Sequence, residues 1–245
     1  SPVMKCKFLV PIALASVLAV PVSATAAPTQ TFSAGAELLN QPKGQPWNLN
    51  LFVQATFGTN DGSALSPVTR MQMKFPSGAK YNGSSFATCT LSKVTKQTCP
   101  SASKIGSGTA KALLGTDPVD AKISVYNGPG TDKKRSVYMY SRALSTVTFV
   151  LEGTMTKTSG KFGYALDVKV PPIVPQLIPG GVPIVSFETT IGGSVKKKGK
   201  RIPLVSSPTS CKGGWSFAAT FTYSNGASGS VNSAIPCRLA ATPSS

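Results

Sequence analysis

Residues 215–223, Trp215-Ser216-Phe217-Ala218-Ala219-Thr220-Phe221-Thr222-Tyr223, decide how this chain folds. Large apolar side chains recur at odd positions, with Ser216, Thr220 and Thr222 between them. Successive side chains of an extended strand point to opposite faces, so a period of two places one face in a core and the other in solvent. The same period runs outward through the chain. Leu49, Leu51, Val53, Ala55 and Phe57 repeat it; Met71, Met73 and Phe75 alternate with Arg70, Gln72 and Lys74; Tyr164, Leu166, Val168 and Val170 alternate with Asp167 and Lys169. Residues 123–126, 137–140, 146–151 and 184–191 add runs rich in β-branched and aromatic residues.

Glycine-bearing breaks separate these runs at Asn127-Gly128-Pro129-Gly130, Thr158-Ser159-Gly160-Lys161, Lys198-Gly199-Lys200 and Ser224-Asn225-Gly226. Hairpin turns need the positive φ that glycine adopts without strain. The expected fold is all-β: an antiparallel β-sandwich of roughly ten to twelve strands. Residues 91–97 alone read as a short helical turn. The expected organisation is one domain over 27–240, with a sub-boundary near 130 as the alternative and a flexible tail at 241–245.

Residues 1–26 have the layout of a secretory signal, with residues 1–3 upstream of a start at Met4. Lys5 and Lys7 form a charged segment, 8–20 an apolar one, and Ala24-Thr25-Ala26 a small-x-small cleavage site. The expected location is therefore extracellular or in the cell envelope, with no transmembrane segment in the mature chain. Cys6 leaves with the signal, and Cys89, Cys99, Cys211 and Cys237 remain. Four cysteines allow three connectivities. Two local loops, Cys89–Cys99 and Cys211–Cys237, are the favoured set in an oxidising compartment.

The chain contains no histidine, and 25 basic residues face 8 acidic ones, for a net charge of +17 of which Lys5 and Lys7 supply two. Histidine is the commonest general base and metal ligand, so catalytic triads and zinc sites lose their usual component. No metal and no cofactor are expected. Ser101-Ala102-Ser103-Lys104 and Ser194-Val195-Lys196-Lys197 match S-x-x-K without the S-D-N and K-T-G partners that give it meaning. No catalytic residue is assigned. Glu152 and Glu188 are the one carboxylate pair on strands that a glycoside hydrolase could use.

Two features point instead to binding. Lys196-Lys197-Lys198-Gly199-Lys200-Arg201, with Lys133-Lys134-Arg135 as a second cluster, could hold an anionic polymer or lipid surface by counter-ion release. The bland alternative is a pair of solvated hairpin tips. Residues 170–187 combine five prolines with the apolar side chains of Ile173, Val174, Leu177, Ile178 and Val182. That loop either binds a ligand, partner or membrane, or plugs one end of the sandwich.

The run Phe75-Pro76-Ser77-Gly78, then Phe86, Cys89, Leu91, Cys99-Pro100 and 103–110 (Ser-Lys-Ile-Gly-Ser-Gly-Thr-Ala), resembles exported proteins of high-GC Gram-positive (actinobacterial) bacteria. Tyr126-Asn127-Gly128-Pro129, Gly163-Tyr164, Gly214-Trp215 and Pro236-Cys237 extend the likeness. The resemblance implies secretion, local disulfides and an all-β body, and it implies no activity. The leading expectation is a non-enzymatic binding protein with a basic surface for anionic envelope polymers or lipids. No specific nucleic acid is expected as a partner. A structural or adhesive surface module comes second and a carboxylate-dependent hydrolase third.

Overall fold

The computed structural model describes residues 30–39, 48–173, 181–210 and 213–235, with side chains from residue 50 onward. The chain is all-β. In order it forms β1 (Gln30–Leu39), β2 (Asn48–Thr59), β3 (Val68–Pro76) and β4 (Lys80–Tyr81), then the helical turn α1 (Leu91–Thr95). Five long strands follow: β5 (Lys104–Leu114), β6 (Asp117–Gly130), β7 (Lys134–Ala143), β8 (Val147–Lys157) and β9 (Phe162–Lys169). Next are β10 (Ile184–Ile191), β11 (Ser194–Lys197), β12 (Lys200–Pro203) and β13 (Val205–Ser206), and last β14 (Trp215–Tyr223) and β15 (Ser228–Ile235).

Thirteen of these strands ladder, all antiparallel, in one sheet whose main path runs β15-β14-β3-β9-β8-β7-β6-β5-β10-β2, with β1 added beyond β2. The expected two stacked sheets are thus replaced by one, because the ladders of β3 with both β14 and β9 leave no break between layers. The sheet curls. β2 and β14 lie far apart in strand order, yet the Phe57 and Phe221 rings meet edge to face at 4.8 Å. Cα atoms of the terminal strands β1 and β15 come within 8 Å of each other. Gly108 marks one tight approach: a Cβ there would lie 2.0 Å from the Glu188 carbonyl oxygen on β10. Glycine in a strand interior permits such an approach and the bend that goes with it.

The inward face follows the period read from the sequence. Leu51, Val53, Ala55 and Phe57, then Met71, Met73 and Phe75, then Tyr164, Leu166 and Val168, then Phe217, Ala219, Phe221 and Tyr223 are all buried in one core. A second, smaller core lies outside the sheet. Val94 of α1, fully buried, packs with Cys89 on Tyr138 of β7, so both faces of that strand are covered. The Cys89–Cys99 disulfide, Cα–Cα 5.5 Å, closes this flap as expected. Cys211 and Cys237 lie outside the described residues.

Every ladder being antiparallel, the connections sort into two ends. Residues 60–67, 115–116, 144–146, 170–183 and 224–227 join strands at one end. The flap, the β6–β7 and β8–β9 hairpins and the β11–β12 hairpin occupy the other. The sheet passes through residue 130 without interruption, β6 pairing with β7 on either side of a bulge. Asn127-Gly128-Pro129-Gly130 therefore sits within a strand end, not between strands.

Candidate functional site: an apolar cavity and a basic end

Eleven strands curled on themselves enclose more space than their inward side chains fill, as wider barrels generally do. Aromatic residues fill the side of the interior nearest β2 and β14. On the facing side β5, β6 and β7 present Ala110, Ala112, Ala121 and Ala143, and a cavity of about 120 Å³ remains. Met139, Val147, Phe149, Leu166, Phe187 and Ile191 supply much of its wall. Among the described residues its lining contains no charged side chain, and Ser141 and Thr189 are its only polar residues.

The cavity opens towards the first set of connections. Leu144, at the tip of the β7–β8 hairpin, lines it and is 57% exposed. Leu144 and Ser145 both adopt left-handed backbone, φ 48° and 62°, a conformation that strains a branched residue. Of the proline-rich segment, Ile173 and Val182 are buried and line the same cavity. Val182 N–H donates to the Ile173 carbonyl at 3.3 Å, which joins these two lining residues. Val174, Leu177 and Ile178 lie outside the described residues.

Both basic clusters fall at the opposite end. Lys196, Lys197, Lys198, Lys200 and Arg201 form the exposed β11–β12 hairpin, whose turn carries positive φ at Lys198 and Gly199. Lys133 and Lys134 are exposed at the β6–β7 turn. Lys80, Lys93, Lys96 and Lys161 join them, and Asp132 is the single carboxylate in the connections at this end. Nearer the mouth the outer face carries two ion pairs, Arg70 with Asp167 and Lys111 with Asp120, and Arg142, whose Nε donates to the Ser145 carbonyl at 2.8 Å. The Arg70 guanidinium holds the Asp167 carboxyl below the usual carboxylate range, and two hydrogen bonds from Ser63 do the same for Asp61.

Arg135 does not belong to the exposed cluster. It is 3% exposed and donates to the Gly128 carbonyl at 2.8 Å, the Gly130 carbonyl at 2.5 Å and Ser84 Oγ at 2.8 Å. Its alternation with Val137 and Met139 was the sequence signal that it points inward. Gly83 leaves room for it, since a Cβ there would lie 2.6 Å from the Arg135 Cδ. Asn127 completes the clamp, donating to the Gly83 and Ala87 carbonyls at 3.0 Å each and accepting from the Tyr81 hydroxyl at 3.2 Å. Burial pushes the Tyr81 hydroxyl well above its usual range and that of Tyr223, whose oxygen has no partner, up to about 12.

Glu152 and Glu188 are not brought together. Both are exposed, and β7, β6 and β5 separate their strands. Four interstrand steps place them roughly 19 Å apart along the sheet, beyond the span that lets two carboxyls flank one glycosidic bond. Among the described residues no group of cysteine, aspartate and glutamate could hold a metal ion, and no helix is long and apolar enough to cross a membrane. The chain matches no protein-family profile, no curated protein and no solved structure.

Proposed function

We propose that the chain is an exported, non-catalytic binding protein that shelters the apolar chain of a lipid inside its curled sheet, while its basic end rests on an anionic envelope polymer or lipid surface. The observation that carries this reading is the cavity. Apolar side chains that elsewhere in the molecule are tightly packed here stand half-exposed around empty space, among them Ala112, Ile123, Met139 and Phe149. Ligand sites are concave, mostly apolar and largely pre-formed, and a dry apolar cavity of this order takes up small hydrocarbons. The uncompensated lysines at the far end supply long-range attraction to a polyanion. An extracellular disulfide partner for Cys211 fits the same reading: Trp215 pairs with Ile235, and Cys211 and Cys237 flank that ladder in sequence.

Uptake of diphenylhexatriene, a rod-shaped hydrocarbon that fluoresces only out of water, tests the interior. Saturable uptake by the native chain, blocked in A112F with the fold retained, supports the reading; absence of uptake sinks it. Retention on anionic vesicles, released as salt rises and lost when residues 196–201 are neutralised, tests the basic end separately.

A further inference from the structure

Ser141 is out of place in the cavity wall. It lies on β7 between Met139 and Ala143, is 3% exposed, and its Oγ has no hydrogen-bond partner among the described residues. A hydroxyl stripped of water and left unpaired is destabilising, and alanine would fill the same position without that penalty. With Thr189 the only other polar residue in the lining, Ser141 belongs to no internal polar network. Ala143 at the rim lies two positions further along the strand, so the hydroxyl sits roughly 7 Å inside the mouth. A molecule entering chain-first would bring the oxygen nearest its head to that depth.

The lining independently limits what the head can be. The described connections at the mouth, 60–67, 115–116, 144–146, 170–173, 181–183 and 224–227, contain no lysine and no arginine in a chain that has 25. Their one charged residue is Asp61. The described residues of the cavity lining likewise offer no cation. A carboxylate or phosphate held at the depth of Ser141 would lose hydration with no positive partner in the described lining to replace it, and buried anions without partners are strongly disfavoured. Arg142, next to Ala143 at the rim, is exposed and its Nε donates to the Ser145 carbonyl at 2.8 Å, so the nearest cation is tied to the hairpin outside the cavity.

We propose that the ligand is an uncharged long-chain lipid, an alcohol or an acyl ester, whose head oxygen hydrogen-bonds Ser141 Oγ while its hydrocarbon runs inward past Met139, Phe149 and Leu166. This rests on the reading of the cavity as a lipid site and adds the chemical class. Ser141 acts as a positioning group, and the uncharged lining around it excludes the corresponding acids.

Competition against bound diphenylhexatriene tests it, using dodecanol and dodecanoate at pH 8 on the full mature chain. Dodecanol displaces the probe at a concentration at least about tenfold lower than dodecanoate, and S141A weakens dodecanol about tenfold, the loss of one buried hydrogen bond. Dodecanol displacement is normalised to each chain's own probe affinity. A denaturant midpoint of S141A equal to or above that of the native chain, as expected when an unpaired buried hydroxyl is removed, separates a lost ligand contact from a damaged fold. Dodecanoate competing as well as dodecanol, or S141A leaving dodecanol unaffected, overturns the ligand class while the lipid site stands. Absence of any probe or alcohol binding removes the lipid site and the ligand class together.

Discussion

The two ends of the curled sheet are built by opposite means. At the basic end the connections are long, and they are fastened by the Cys89–Cys99 bridge, by Arg135 against two carbonyls and Ser84, and by Asn127 under the flap. At the mouth several connections are short hairpins without cations, and the wall behind them is a lining of small apolar residues around space. The difference teaches where each kind of interaction can be used. Cations that share no counter-charges must sit on a scaffold rigid enough to withstand their repulsion, whereas an opening that admits an apolar molecule cannot be closed by hydrogen bonds. Stability is concentrated at one end and uptake at the other.

Substitutions at the fastened end should have the largest effects on stability. R135A strands the Gly128 and Gly130 carbonyls and opens a void, so a loss of about 3 kcal/mol in denaturant unfolding is expected, with probe uptake by the remaining folded fraction unchanged. Replacing Cys89 and Cys99 by serine removes a short covalent loop and should cost about 2–3 kcal/mol by the same assay. High pH acts through Tyr81 and Tyr223, whose folded-state pKa values lie above that of a free phenol. The unfolded chain then releases protons first, so stability is full below about pH 10 and falls as pH rises towards 12. A melting temperature indifferent to pH between 9 and about 11.5 would show that these hydroxyls are solvated. At the mouth the sign reverses: L144G relieves left-handed strain and should raise stability by about 0.5–1 kcal/mol while weakening uptake.

The alternation in 215–223, 49–57, 71–75 and 164–170 read directly as inward faces, because burial on one side of a strand is a local property. The disulfide-closed helical turn was legible for the same reason. β5, whose inward positions include Gly108, Ala110 and Ala112, was not, since small residues carry little β signal. Nor was the single sheet in place of two layers: which strand ladders with which depends on pairings such as β3 with β14, 153 residues away at the Thr69–Thr222 contact. The cavity was hidden because Ala121 and Met139 look alike in sequence whether they pack against atoms or face a void. Arg135 was misread as exposed on the strength of its lysine neighbours, although its register with Val137 pointed inward.

Methyl resonances locate the ligand most directly. On adding dodecanol, shifts are expected to be confined to cavity methyls such as those of Ile123, Met139, Leu144 and Val147, with Val94 of the flap and Leu204 at the basic end unmoved. Shifts centred on Val94 or Leu204, or none at saturating alcohol, would contradict it.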